Sequence, residues 1–498
     1  MKNIIFVLII NIFLSFASYS SNEEAKAKVN KNIRRISTEQ KLYELSVVWR
    51  ELSYNFANMD NCPSVNLDSL YREYMPIVQN TKNDWEYYKA IQRFLSHFNN
   101  GHTICYSFPD YFMDYLGLLL LKTTYKDCKV IVENIGAHFA KKISIGDEIV
   151  SVNGIPVIDY LQINSIPFIS TSNEEAKSIQ RATFGASYVN YALKDEKIRL
   201  GIKTSKGKKT VQLSYDKHFN PNSKDTIKQN KKTYLNKESG IHSQTLHDNL
   251  FLIDTVNDFA YIRLTRCDKT FYSFFIENYE KILEFECSNL IIDVHNNGGG
   301  DGNFVRPVVS YLINNDTIYN YVEKTRVNHA LYKAKASSKI FYYEDNEVAE
   351  SFKERMYPYY YNTAFAEIQY GYSISNVPDF LRYKGKIHVL IGAACGSAGE
   401  DFVALLSQNN NVSFFGKQTA GAFGQPLITR LPSGIEVHIN TTKSYDFQGR
   451  DISSGFPPDY EYDFSEIYRI TDPQDMLNKF IEVIDVEKKE NRHGSHSR

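Results

Sequence analysis

Three consecutive glycines, residues 298–300, stand directly after the apolar run NLIIDV (289–294), inside the stretch HNNGGGDGN. Glycine loses more backbone freedom on folding than any other residue. A run of three is kept only where the chain must turn sharply or approach something closely. A second small-residue corner, ACGSAGEDF (394–402), follows a second apolar run, IHVLI (387–391). Apolar strand, small-residue corner and helix, twice over, is the pattern of a largely buried sheet covered by helices, so this half of the chain reads as α/β. The flanks agree. FAYIRL (259–264) reads as a strand, 271–285 as a helix, and FVRPVVSYL (304–312) as a helix that tolerates Pro307 only in its first turn.

Both corners have chemical possibilities. Consecutive glycines can turn several backbone N–H groups onto one anion. GGGD has neither the GxxxxGK[ST] pattern nor the GxGxxG spacing of nucleotide loops. The remaining choices are an oxyanion, the charge that develops when a nucleophile attacks a carbonyl, or a plain tight turn. Ser397 lies just before an expected helix N-terminus. There it either caps the helix or meets developing negative charge as a nucleophile. A GxSxG hydrolase elbow fits poorly, because Cys395 stands where its first glycine belongs. The histidines after Ser397 are His438, in a strand-like run, and His493 and His496 in the tail.

The rest of the chain divides by texture. Residues 1–20 have an early lysine, an apolar run from Ile4 to about Phe16 and small residues after it, the layout of a secretory signal peptide. Residues 21–108 read as a helical module. Leu42, Leu45, Val48, Trp49 and Leu52 form one stripe, Trp85, Tyr88, Ile91, Leu95 and Phe98 another, and the module ends at NNGHT. Residues 109–215 turn β-rich and contain ISIGDEIVSVNGIPVIDYL, a short strand between two turn dipeptides followed by a helix start. Residues 216–248 are polar and Lys/Asn-rich, a linker. Residues 249–486 are the α/β domain, and 487–498 a charged, disordered tail.

Composition removes several classes. A net charge of -1 offers no basic field for nucleic acid. No stretch after the first twenty residues approaches a membrane span, so an integral membrane protein is not expected. The six cysteines are widely and irregularly spaced, and the twelve histidines show no HExxH, so no metal or other cofactor is expected. Sequence alone leaves the oligomeric state open.

Two resemblances sharpen this. GDEIVSVNG is similar to the PDZ domain, whose groove takes an extended peptide by strand addition. NLIIDVHNNGGG, then VLIGAACGSAGEDFVALL, then FFGKQTAGAFGQ, then SGFPPDYEY, resemble in order the serine peptidases of the C-terminal processing peptidase and tricorn-core family (S41). The resemblance covers about residues 101 to 459. It implies an α/β multidomain fold with an N-terminal helical module, a PDZ-like β-rich module and a ClpP/crotonase-like catalytic core. It also implies an exported serine endopeptidase, periplasmic or extracellular, acting on polypeptides. By it Ser397 is the nucleophile, and the N–H groups of Gly299 and Ala398 form the oxyanion hole. The processing branch carries its lysine base where this chain has Ala422, while Lys417 stands before that turn. The tricorn-like branch takes a histidine from a DGHT-like loop, here NGHT, which makes His102 the base. Its orienting acid falls near RDISSGFPPD. Asp451 is the candidate there, with Ser453 as the alternative. A catalytically silent peptide-binding scaffold and an esterase of the same mechanism are the rival readings.

Overall fold

A computed structural model describes residues 36–494 apart from 137–138, 174–176, 178–181, 183–187, 195, 216–240 and 247–248. The expected signal peptide, most of the expected linker and the last four residues of the tail lie outside the described residues. The chain divides into two compact units. One holds the part up to residue 230 together with Pro426–Asn440, the other Lys231–Gln425 together with the chain from Thr441.

The first unit opens with three helices, Thr38–Asn55, Leu67–Gln79 and Asp84–Ser96. Each begins at a capping side chain. Ser37, Asn66 and Asn83 accept the backbone N–H of Gln40, Ser69 and Glu86. The second stripe is fully buried as expected, with Trp85, Tyr88, Ile91, Leu95 and Phe98 in one core cluster. A six-stranded antiparallel sheet follows. Within it the strand Glu148–Val152 is bracketed by Gly146 (φ 89°) and by Asn153 and Gly154 (φ 52° and 88°), and the helix Val157–Asn164 comes next.

Residues 426–440 correct the domain boundary read from sequence. They lie inside the span assigned to the α/β domain, yet they belong to the first unit. The hairpin Pro426–Arg430 and Glu436–Asn440 adds two strands beside Ile104–Ser107. Its Leu431, Ile435, Val437 and Ile439 share one core with the helical residues Leu45, Phe94 and Phe98. Burial of these apolar side chains, rather than chain order, decides where the segment goes.

In the second unit a seven-stranded sheet runs Ile241–Leu246, Asn249–Asp254, Phe259–Arg263, Asn289–Asp293, Lys386–Ile391, Val412–Gly416, Tyr460–Glu461. The first three strands are antiparallel and the rest parallel. The linker expected to extend to residue 248 therefore ends earlier. Ile241–Leu246 has no apolar pattern, and as an edge strand it is held by its backbone ladder to Asn249–Asp254. Both sheet faces are covered. Leu290, Ile292, Ile387 and Val389 pack with Phe271, Phe274 and Ile282 of the helix Lys269–Glu284. Ile291 and Leu390 pack on the other side with Leu477, Phe480 and Ile484. Those last three come from the helix Pro473–Gly494, which takes in part of the tail expected to be disordered from 487. Buried side chains four and three positions apart anchor the helix, and its charged end continues from that anchor. Among the described residues no helix is long and apolar enough to cross a membrane.

Candidate active site

Asn289–Asp293 and Lys386–Ile391 are adjacent parallel strands, paired Asn289 to Lys386 through Asp293 to Leu390. Their following loops must therefore leave side by side at the carboxyl end of the sheet, the usual location of sites in α/β folds. These loops are the glycine run and the serine corner. They touch along their length. A Cβ on Gly392 would stand 3.4 Å from the His295 Cβ, and Gly396 donates its N–H to the Asn297 carbonyl (3.0 Å). A Cβ on Gly299 would fall 2.6 Å from the Ser397 Cβ.

Ser397 precedes the helix Ala398–Leu406 and is partly exposed between buried neighbours. Its backbone sits at φ 53°, ψ -129°. An ordinary N-cap is extended, and a non-glycine residue at positive φ carries strain that the surroundings must offset. Here they do so on both sides of the residue. Glu400 and Asp401 donate their N–H groups to the Ser397 carbonyl (2.8 and 3.0 Å), and the Ser397 N–H donates to Glu400 Oε2 (3.2 Å). Ala398 begins the helix, where backbone N–H groups and the helix dipole favour negative charge. The Gly299 N–H donates to Asn297 Oδ1 (3.0 Å).

Asn297 and Glu400 organise the corner. Asn297 is fully buried. Its Nδ2 donates to the Leu264 carbonyl and its backbone N–H to the Val294 carbonyl, and its Oδ1 also accepts from the Cys267 thiol. Glu400, whose place in the first helical turn the dipole alone would explain, is fully buried too. Its Oε1 accepts from Thr419 Oγ1 (2.5 Å) and the Gly421 N–H (2.8 Å), and its Oε2 from the Ala422 N–H (2.7 Å) as well as from Ser397. The pattern S-x-x-E, SAGE in this chain, was the available signal, because it places the carboxylate within reach of the N-cap N–H.

Burial raises the Glu400 carboxyl from its usual 4.5 to about 7, against the pull of its donors. Burial likewise raises Asp401 from 3.8 to about 7, with Glu323 adding to the shift and Tyr321 opposing it. A group that binds its proton more tightly when folded contributes stability that is complete below its unfolded value and lost as pH rises through its folded value. Stability is therefore expected to fall between about pH 4 and pH 7, by about 3 kcal/mol from Glu400 alone. Unfolding midpoints across that range should show the slope, and Glu400→Gln should flatten it.

Below the glycine loop, Asp293 is completely buried and held well below the usual carboxylate range despite that burial. His295 does most to hold it there, followed by Arg263 and Tyr261. His295 Nδ1 lies 2.6 Å from Asp293 Oδ1, and its ring stacks on Tyr468 at 3.6 Å between centroids. The Tyr468 hydroxyl also donates to Asp293, and Arg263 Nε lies 3.1 Å from the second carboxylate oxygen. His295 thus anchors the root of the loop.

The other candidates fall as follows. Cys395 is fully buried and its thiol is pushed well above the usual range by that burial, which suits packing rather than attack. Lys417 pairs with Glu461 at 2.9 Å. Asp451 is exposed, forms a bridge with Tyr445, and accepts the Ser453 N–H (2.8 Å). Ser453 is buried and its Oγ accepts the Ser444 N–H (2.9 Å). His102 belongs to the first unit and is partly exposed. Its N–H donates to Asn100 Oδ1 (2.9 Å), and the neighbouring Thr103 is buried and accepts the Asn440 N–H (3.1 Å).

Residues 258–462 match the model of peptidase family S41. They form an S41 peptidase domain. The protein is accordingly a serine-type peptidase whose substrates are polypeptides. No curated protein matches the chain. Among solved structures, mature CPAF complexed with lactacystin is similar at a TM-score of 0.62 and 15% identity, over 90% of this chain and 97% of that one. Mature CPAF without it gives 0.56 at 15%, over 85% and 92%. The photosystem II D1 C-terminal processing protease gives 0.42 at 14%, over 88% and 96%. At these identities the CPAF likeness concerns the fold, a mixed α/β multidomain chain with N-terminal helices, β-rich regions and a C-terminal S41 domain.

Proposed function

We propose that this S41 peptidase is an exported serine endopeptidase, periplasmic or extracellular once a signal peptide at 1–20 is removed. In this reading Ser397 attacks the scissile carbonyl. His102 takes the hydroxyl proton and returns it to the leaving amine, and Asp451 orients the imidazole. The Ala398 N–H stabilises the oxyanion, joined by that of Gly299 once its bond to Asn297 lengthens. Water then hydrolyses the acyl-enzyme. The PDZ-like module at 109–215 takes an extended substrate segment by strand addition.

One observation carries the reading: a serine held at positive φ, at the start of a helix and against a glycine loop. Nothing in plain capping requires that conformation, whereas lifting a hydroxyl out of a corner does. Imidazole is the side-chain base whose free value, about 6.5, lies nearest neutral pH. The test is covalent labelling by a fluorophosphonate, mapped by peptide mass. Ser397 should carry the label, and His102→Ala should slow labelling and casein cleavage together by at least about 10³-fold. A His102→Ala enzyme labelled at the parent rate would remove histidine from the mechanism.

A further inference from the structure

We propose that Glu400 is a positioning residue for the peptidase reaction: by collecting donors from two chain segments, its carboxylate keeps Ser397 in the left-handed conformation needed for attack. The inference rests on the reading of Ser397 as nucleophile.

Three stretches of chain converge on this side chain. One is its own corner, through the Ser397 N–H. The second is the turn at 419–422, through the Thr419 hydroxyl and the N–H groups of Gly421 and Ala422. The third is reached through Thr419, whose Oγ1 accepts the Phe456 N–H (2.6 Å) while its own N–H donates to the Phe456 carbonyl (3.1 Å). Residue 400 also grips both peptide units flanking Ser397, the N–H through its carboxylate and the carbonyl through its backbone N–H. Rotating Ser397 out of positive φ would break at least one of these bonds.

All four donors are accepted together only by the ionised carboxylate, the form that Glu400 takes as pH rises through about 7. Glutamine keeps the shape but turns an NH2 group toward two N–H donors, leaving buried donors unpaired. Glu400 itself touches no reacting atom, so its loss should act through the placement of Ser397. A shift of the order of an ångström costs about 10²-fold in rate.

Glu400→Gln is therefore expected to lower kcat by about 10²-fold with KM within about threefold, and to slow fluorophosphonate labelling of Ser397 by a similar factor. A role confined to stability would instead lower the unfolding midpoint and leave kcat of the folded enzyme intact. If Glu400→Gln fails to fold, the Thr419 pair decides. Thr419→Val removes one donor and should lower kcat about tenfold, and Thr419→Ser should recover most of that loss. Parent-like kcat in folded Glu400→Gln, or equal activity of the valine and serine variants, would overturn the proposal. Ser397→Ala separates the two readings. If that variant is dead while Glu400→Gln is fully active, only the positioning role falls. An active Ser397→Ala removes the nucleophile itself.

Discussion

Ser397→Ala is expected to eliminate peptide hydrolysis, with kcat down by at least about 10⁴-fold, while the unfolding midpoint stays within a few degrees of the parent. The size of the effect follows from what is removed. The hydroxyl oxygen is the only heavy atom lost, and without it no acyl-enzyme forms. What remains is the acceleration from oriented N–H groups and substrate binding, which in comparable sites is about 10³–10⁴ over water. The fold should survive because the bonds holding residue 397 involve its backbone N–H and carbonyl, which alanine keeps. Steady-state cleavage of casein, with thermal unfolding of the same preparation, checks both halves. Parent-like turnover would remove Ser397 from the chemistry.

The second large effect is expected at Gly299. An added Cβ there would lie 2.6 Å from the Ser397 Cβ, 2.7 Å from the Gly396 carbonyl oxygen and 3.0 Å from the Ala398 nitrogen, at a backbone φ of 98° that L side chains rarely adopt. Two of these neighbours are backbone atoms that cannot swing aside. Gly299→Ala should thus displace the nucleophile and the oxyanion donors together, lowering kcat by about 10²-fold or more. The strained backbone should add about 1–3 kcal/mol of destabilisation, read by urea unfolding. Gly298 supplies the contrast. It is exposed, and an added Cβ meets nothing within 4 Å. Gly298→Ala should be nearly silent. Equal effects at the two positions would mean that the run serves loop flexibility rather than close approach.

The sequence was most readable where one pattern had one structural solution. The buried runs at 289–293 and 386–391 could only be strands, and small residues after them could only be corners. Adjacent parallel pairing then brought Gly299 against Ser397 without further instruction. Glu400 was harder. An acid in the first turn of a helix is adequately explained by the dipole, and its more specific work depends on a turn twenty residues downstream that no local pattern announces. Asn297 was hidden for the same reason, since its partners Leu264 and Cys267 lie on another loop. At 473–494 a charged C-terminal run masked an amphipathic helix whose anchor, Leu477, Phe480 and Ile484, precedes the charges. Asp451 shows the limit of motif spacing. Its number follows from alignment, but its observed bond is the local one to Ser453.

The hairpin at 426–440 has a consequence for biosynthesis. The strand Ile104–Ser107 and the helical core around Phe94 and Phe98 find their partners only after more than 300 further residues have been made. A nascent chain therefore carries an unpaired edge and an open apolar face through most of its translation, a state prone to mispairing. Expressed alone, residues 21–230 should aggregate, and supplying 426–440 as a fused segment should bring them into solution.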